Sequence, residues 1–186
     1  MKAVVFPGAS KIQFMEFPDP TPGPGEVVLE IKSSGMCGSD LKFYRAVGGA
    51  SSLGLGKLTG PVIAGHEPCG VVVAVGPGVA ENQAKVGMRV MQHHYRGCGV
   101  CEHCSTGWMQ LCVEGVKEVY GATGHGAHAR YMKCPARTRL SMHPLPHRRG
   151  RRRCAACAPG GKPVSSEKAT ASRSMSAAIC YAGRSR

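Results

Sequence analysis

The chain has 186 residues and a formal net charge of +13, with 24 Lys and Arg against 11 Asp and Glu. No apolar stretch approaches the roughly 18 residues of a membrane helix, so no membrane span is expected. The opening run MKAVVF is strand-like and too short for the apolar part of a signal peptide. Because a reducing compartment keeps thiols free, ten cysteines without a targeting segment favour the cytoplasm.

The first segments are predicted to be short strands separated by turns. Residues 2–6 and 11–17 are expected to pair as a hairpin around residues 7–8. The loop FPDPTPGPG follows, and its four prolines and two glycines exclude both a helix and a central strand. Residues 26–32 alternate as a strand, and residues 39–45 are predicted to form a short helix with Ser39 as a candidate cap.

Two short segments carry residues typical of a catalytic metal site. The first, GMCGSD, places Cys37 just beyond a predicted strand and beside Ser39 and Asp40, and the second, GHE, contributes His66 and Glu67. Catalytic zinc sites take Cys and His ligands from separate segments and leave one position open for water or substrate. Each segment alone is a weak signal, because a lone Cys after a strand is usually a small core residue.

Further strands are predicted over residues 71–75, 89–91 and 127–132, each bounded by glycines or a polar turn. Cys69 and Cys134 also lie in strand-like stretches and are predicted to be small core residues. Many short strands with Gly and Pro between them predict a mainly β, barrel-like domain with short helices. About 138 residues are enough to bury a single core.

Two pairs of histidines lie near these strands. His93 and His94, if they lie on a strand, point to opposite faces, so at most one of them can face a site. His125 and His128 flank glycines and are expected to cap or solvate a loop.

Four cysteines stand at Cys98, Cys101, Cys104 and Cys112 with the spacing C-x2-C-x2-C-x7-C. Glycines at positions 97, 99 and 107 allow the backbone to fold tightly, and the segment has few apolar residues of its own. Four thiolates suit a structural zinc ion, so residues 97–112 are predicted to form a zinc-binding lobe. The alternative is a pair of disulfides, for which three pairings exist.

In this order, the motifs resemble those of the zinc-dependent medium-chain alcohol dehydrogenases. The resemblance covers residues 1 to about 138, and the sequences of the motifs are closest to those of polyol and threonine dehydrogenases. The matching stretches are GEVVLEIKSSGMCGSDLKFY, GPVIAGHEPCGVVVAVGPGV, VGMRV, the four-cysteine lobe and GAHARYMKCPART. The resemblance implies that residues 1–138 form a GroES-like catalytic domain.

The resemblance also implies roles for single residues. Cys37 and His66 match ligands of the catalytic zinc, and Glu67 matches a position near that metal, as a ligand or behind one. A satisfied buried carboxylate is the alternative for Glu67. Ser39 matches the hydroxyl that relays the proton of the alcohol, and Asp40 fits a carboxylate that orients a ligand imidazole. In this family zinc polarises the alcohol oxygen, and a hydride passes to NAD or NADP.

The implied partners are a small alcohol or polyol, or the corresponding carbonyl compound, and further copies of the chain in a homo-oligomer of the full-length enzyme. Zinc is the implied cofactor at both sites, together with NAD or NADP.

Residues 139–186 differ from the rest of the chain. They hold 11 of the 24 basic residues against one acid, with Tyr181 as the one aromatic residue. No run in this segment has the periodicity of a helix or strand that buries a face, so a disordered basic tail is predicted.

The sequence contains no G-x-G-x-x-G motif, and a dinucleotide-binding domain needs roughly 150 residues where 48 remain. The chain is therefore predicted to be truncated before the coenzyme domain, with the third protein ligand of the catalytic zinc beyond the matched region. A frameshift near Arg139 would explain the composition of the tail. The alternative is a functional basic arm, in which HRRGRRR contacts phosphates, although no aromatic residues are interleaved for base stacking.

Three function classes follow. The favoured one is the zinc-binding catalytic domain of an alcohol dehydrogenase-type oxidoreductase, inactive alone because the coenzyme domain is missing. The second is a zinc-binding module without turnover. The least favoured is a basic-tailed protein that binds nucleic acid.

Overall fold

The computed structural model describes residues 1–49 and 60–141, with the backbone alone for 138–141. The elements that lie wholly within these ranges are nine strands, two short α-helices and two 3-10 turns. The strands are β1 (Lys2–Gly8), β2 (Lys11–Glu16), β3 (Glu26–Gly35), β4 (Glu67–Val75), β5 (Arg89–Gln92), β6 (Tyr95–Arg96), β7 (Glu118–Val119), β8 (Tyr131–Pro135) and β9 (Arg139–Ser141); the helices are α1 (Gly38–Arg45) and α2 (Glu102–Ser105), and the 3-10 turns are Met109–Leu111 and Ala136–Thr138.

An antiparallel five-stranded sheet in the order β8-β3-β4-β5-β9 organises the fold. β1 and β2 form a separate hairpin, and β6 pairs with β7. The mainly β fold predicted from the sequence is confirmed. β3 and β4 matter most for the site, because the antiparallel register brings Gly35 at the end of β3 opposite Glu67 at the start of β4.

The core lies where side chains of four neighbouring strands meet. The members that these strands contribute are almost inaccessible to solvent: Val27, Leu29, Val72, Val90, Met132 and Cys134. Burying an aliphatic side chain of this size stabilises the fold by about 1.5–3 kcal/mol, so these contacts fix the register of the sheet. The core position predicted for Cys134 is confirmed, whereas Cys69 is only partly buried.

The first hairpin forms as predicted, but its turn lies further along the chain. β1 continues through Gly8, which pairs with Lys11. Ala9 and Ser10 form the turn, and both have positive φ, of 49° and 58°. A two-residue hairpin turn that matches the twist of the strands needs positive φ at both central residues. The predicted turn at residues 7–8 is therefore wrong by two residues.

The strand predicted over residues 127–132 is also shifted. β8 begins at Tyr131, while Ala129 makes an isolated bridge with Ala3 of β1. The backbone of His128 accepts a hydrogen bond from Val4 N and donates one to Ala64 O. Residues 126–129 therefore run between β1 and the segment before His66, and not in the five-stranded sheet.

In the described part of the chain, no helix is long and apolar enough to cross a bilayer. The predictions about a basic tail concern residues 139–186. Residues 139–141 form β9 at the edge of the five-stranded sheet, and the rest of that segment lies outside the described residues. The domain boundary at residue 138 stays a prediction.

Candidate metal centres and active site

Cys37 occupies the turn between β3 and α1, where it caps the helix. Its Sγ accepts a hydrogen bond from Ser39 N at 3.4 Å, and Cys37 N donates to Asp40 Oδ2 at 2.9 Å. The prediction that Ser39 caps this helix is wrong, because the reciprocal pair of Cys37 and Asp40 satisfies the free N–H groups of the first turn. The Ser39 hydroxyl is thereby left available to the site.

His66 lies directly before β4 and points toward Cys37. Its Nε2 is 3.0 Å from Cys37 Sγ and 3.2 Å from Ser39 Oγ, and Ser39 Oγ is 2.8 Å from Cys37 Sγ. A thiol, a hydroxyl and an imidazole from two separate segments therefore meet at one point, as the sequence predicted for a catalytic metal site.

Glu67 joins this group from the first residue of β4. One donor atom each from Cys37, His66 and Glu67 lies within 4.8 Å of the others. Glu67 is exposed, so the alternative of a buried carboxylate is wrong. Gly35 makes room for it, since a Cβ at position 35 would lie 2.2 Å from Glu67 Oε2.

Asp40 sets the charge and orientation of the imidazole. Its Oδ1 lies 3.1 Å from His66 Nδ1, and its side chain is fully buried. The hydrogen bond to Asp40 raises the pKa of His66 to about 9 against the opposing effect of burial. Burial would raise the pKa of the Cys37 thiol, but hydrogen bonds from Ser39 and His66 outweigh it and bring this pKa below its usual value.

These residues fit a zinc ion. A thiolate, an imidazole nitrogen and a carboxylate are ligands that zinc takes in catalytic sites, and the lowered pKa of Cys37 favours its thiolate form. An imidazole that binds a metal through one nitrogen usually has a carboxylate beside the other, and Asp40 Oδ1 lies 3.1 Å from His66 Nδ1.

The four-cysteine lobe forms a second cluster. Cys101 precedes α2, Cys104 lies within it, and Cys112 follows the 3-10 turn Met109–Leu111. The four sulfur atoms all lie within 4.8 Å of one another. Cys98 Sγ is 3.9 Å from Cys104 Sγ, close to the edge of about 3.8 Å of a tetrahedron with zinc–sulfur bonds of about 2.3 Å.

All four residues are free thiols in the structure, which favours the zinc interpretation over a pair of disulfides. Backbone N–H groups of Cys104 and Val113 lower the pKa of Cys101 to about 6, so this thiol ionises readily. The apolar support of the lobe is Met109, which packs with Cys104, Cys112 and Tyr95. Trp108, by contrast, is exposed.

His93 and His94 lie in the turn between β5 and β6, and their rings stack at 5.3 Å. The prediction that they point to opposite faces is wrong, because these residues do not belong to a strand. The His94 ring lies 5.5 Å from the ring of His66, and burial lowers its pKa. The register of β4 with β5 could have placed it there, since Cys69 pairs with Met91 and three further steps bring residue 66 opposite residue 94.

His128 is buried, with 2% of its surface exposed, so the expectation that it is solvated is wrong. Its Nδ1 lies 2.8 Å from Ser34 Oγ. His125 is exposed, and its Nδ1 accepts a hydrogen bond from Ile63 N.

Comparisons with known proteins identify the family of this chain. Residues 23–147 match the alcohol dehydrogenase GroES-like domain. The chain is 39% identical over 136 residues to YphC of Escherichia coli K12, an uncharacterized zinc-type alcohol dehydrogenase-like protein, with 71% of this chain and 37% of YphC covered. It is 34% identical over 127 residues to the L-threonine 3-dehydrogenase of Saccharopolyspora erythraea, with 68% of this chain and 35% of that enzyme covered.

Among solved structures, the alcohol dehydrogenase RspB of Escherichia coli CFT073 in complex with NADH superposes with a TM-score of 0.62 at 33% identity. The match covers 77% of this chain and 39% of RspB. The chain thus spans little more than a third of the length of these proteins. The fold and the resemblance predicted from the sequence are confirmed.

Proposed function

Since the chain belongs to the alcohol dehydrogenase family through its GroES-like domain, we propose that residues 1–138 form the zinc- and alcohol-binding part of an oxidoreductase. The reaction is the oxidation of an alcohol to an aldehyde or ketone, with NAD or NADP as hydride acceptor. The observation that carries this proposal is the meeting of Cys37, His66 and Glu67 donor atoms within 4.8 Å.

At this site Cys37 Sγ, His66 Nε2 and a carboxylate oxygen of Glu67 would hold the metal. A zinc ion bound there supplies a Lewis acid for the alcohol oxygen. Asp40 keeps the imidazole oriented through Nδ1, so that Nε2 faces the thiolate. The three side chains that would hold the metal come from the cap of α1 and from the start of β4. The β3–β4 register fixes these two places against each other.

Ser39 is the residue suited to move the proton of the alcohol. Its Oγ is part-buried and within 3.2 Å of both Cys37 Sγ and His66 Nε2, so an alcohol whose oxygen enters this group comes within hydrogen-bonding reach of it. The hydroxyl can accept one proton and donate another, and a relay needs both.

The four-cysteine lobe is proposed to hold a structural zinc ion. Four thiolates leave no open position for a substrate, and the lobe has little apolar support besides Met109. A metal ion would supply the folding energy that this small core lacks.

The nicotinamide cofactor is proposed for the complete enzyme. RspB is in complex with NADH, and the 186 residues of this chain contain no G-x-G-x-x-G motif. We therefore expect a polypeptide of these residues to bind zinc, to bind NADH weakly or not at all, and to show little or no turnover alone. The likeness to L-threonine 3-dehydrogenase makes L-threonine, with small secondary alcohols and polyols, the first substrates to test.

The experiment is a chimera. Residues 1–138 replace the matching part of the Saccharopolyspora erythraea L-threonine 3-dehydrogenase, and NAD reduction is followed with a panel of alcohols. Activity that disappears in the Cys37→Ser chimera supports the proposal. A chimera that binds NADH and two zinc ions and yet oxidises no alcohol of the panel contradicts it and favours a zinc-binding module without turnover.

A further inference from the structure

The two segments that carry the proposed ligands of the catalytic zinc meet a third segment, residues 126–128. Ser34 is the second-to-last residue of β3, three positions before Cys37, and it faces the side chain of His128. His66 follows Gly65, whose carbonyl accepts a hydrogen bond from Ala127 N at 2.9 Å. Residues 126–128 thus contact both ligand-bearing segments without supplying a ligand.

The side chain of His128 makes the link to β3. Nδ1 lies 2.8 Å from Ser34 Oγ, the shortest side-chain connection from this segment to the strand before Cys37. The backbone of His128 is fixed on both sides, because its N–H donates to Ala64 O at 2.8 Å and its carbonyl accepts from Val4 N at 2.9 Å. The imidazole therefore sits on a rigid backbone.

The same ring packs directly on the residue before His66. Gly65 has φ +90°, and a Cβ there would lie 2.4 Å from His128 Nδ1. Gly65 thus lets the backbone approach the ring more closely than any other residue would allow. A shift of the His128 ring must move Ser34, Gly65 or both.

His128 is costly for a core position that only needs volume. Among the described residues its Nε2 is buried and has no hydrogen-bond partner. Burial lowers the pKa of His128 to about 4, so the ring is neutral near neutral pH and acts through its shape and one hydrogen bond. The edge contact with Phe6, at 6.0 Å, would suit a phenyl ring equally well. Filling volume therefore gives no reason for an imidazole here, whereas the hydrogen bond to Ser34 does.

We propose that His128 is a positioning residue, which sets the separation of Cys37 and His66 by holding Ser34 and Gly65 on either side of one ring. This inference rests on the zinc site of the proposed function. The hydrogen bond to Ser34 fixes the end of β3, and the ring face fixes the backbone that enters β4.

The test measures zinc affinity in the 186-residue protein by competition with a chromophoric chelator. The four-cysteine lobe serves as an internal reference in every sample. Ser34→Ala and His128→Phe remove the hydrogen bond from opposite sides, and His128→Asn keeps a hydrogen-bonding atom near the position of Nδ1. Ser33→Ala is the matched control, because Ser33 is an exposed residue of the same strand.

We expect Ser34→Ala and His128→Phe each to weaken zinc binding at the Cys37 site about 10-fold, the lower end of the range for residues that orient metal ligands. The double variant Ser34→Ala, His128→Phe should bind zinc at the Cys37 site no more weakly than either single variant, because both substitutions break the same hydrogen bond. His128→Asn should recover most of the affinity, and the four-cysteine lobe and Ser33→Ala should match the wild type.

Two results would overturn the inference. In the first, the wild type binds zinc at the Cys37 site and Ser34→Ala binds it equally well, whatever happens to the melting temperature. The positioning role of His128 is then wrong, and the proposed function is unaffected. In the second, the wild type binds no zinc at the Cys37 site, and the proposed function fails as well. Should His128→Phe not fold, Ser34→Ala alone decides.

Discussion

Asp40 Oδ1 lies 3.1 Å from His66 Nδ1, although the Asp40 side chain is completely buried. The second oxygen of the same carboxylate accepts the N–H of Cys37 at 2.9 Å. A buried charge is stable only when it is paired and hydrogen-bonded, and Asp40 meets this condition through both residues that hold the proposed metal. One carboxylate therefore couples the cap of α1 to the imidazole at the start of β4.

Replacing Asp40→Asn should weaken zinc binding at the Cys37 site by about 10- to 100-fold. With its amide oxygen toward the Cys37 N–H, Asn presents an NH₂ group to His66 Nδ1. The imidazole then carries its proton on Nε2, the atom that the metal needs. Chelator competition measures the affinity. Asp19→Asn, an exposed carboxylate near the N-terminus, is the control, and equal affinity in both variants would contradict the role of Asp40.

Replacing Gly35→Ala should displace Glu67 from the site. The new Cβ would lie 2.2 Å from Glu67 Oε2 and 3.0 Å from its Cβ, so the flexible carboxylate has to swing away. We expect weaker zinc binding at the Cys37 site with a loss of at most about 1 kcal/mol in stability. Gly38→Ala is the matched control, because a Cβ there meets nothing within 4 Å. Unchanged zinc affinity in Gly35→Ala would show that Glu67 does not contribute to the site.

Replacing Cys104→Ser should remove one zinc ion per chain and open the lobe of residues 97–112. Cys104 is buried and packs with Met109, so losing the metal also removes the support of the lobe. The fluorescence of Trp108, the one tryptophan of the chain, reports the change. Cys69→Ser, which alters a cysteine outside both clusters, should keep the zinc content and the fluorescence of the wild type. Full zinc content in Cys104→Ser would rule out the structural site.

His128 should make the protein less stable in acid. Burial lowers the pKa of His128 from its ordinary value of 6.5 to about 4 in the folded protein. The charge of Asp40 opposes this lowering, and His66 adds to it. Between these values the unfolded chain binds the proton and the folded one does not. The contribution of His128 to the free energy of unfolding is therefore fully present above about pH 6.5. It is lost as the pH falls toward 4, by up to roughly 3 kcal/mol.

Urea unfolding at pH 5 and pH 8 measures this dependence. His128→Phe should lose this part of it, whereas Ser34→Ala, which breaks the same hydrogen bond but keeps the ring, should retain it. Equal pH dependence in the wild type and His128→Phe would show that the ring titrates normally.

The sequence predicted which side chains of the candidate site meet, because they lie in short motifs with ordinary backbone around them. Cys37 follows a strand with clear alternation, and the spacing of the four cysteines is typical of a zinc-binding lobe. The sequence pattern favours Ser39 as the cap of α1, because cysteine is a rare cap. The hydrogen bond from Cys37 N to the Asp40 side chain, which makes Cys37 the cap, depends on the helix being in place.

His94 and His128 escaped prediction for a different reason. Their positions depend on contacts between distant segments: the β4–β5 register for His94, and the passage of residues 126–129 between β1 and residues 63–66 for His128. Local pattern carries no information on such pairings. The turn at Ala9 and Ser10 was missed because Pro7 and Gly8 are stronger turn residues, and the strand pairing overrides them.

Elemental analysis of the purified 186-residue protein decides whether the chain holds two zinc ions. We predict close to two zinc ions per chain, falling to one in Cys37→Ser and to one in Cys104→Ser. A wild-type content of one that Cys37→Ser leaves unchanged would contradict the catalytic site, and a content near zero would contradict both sites.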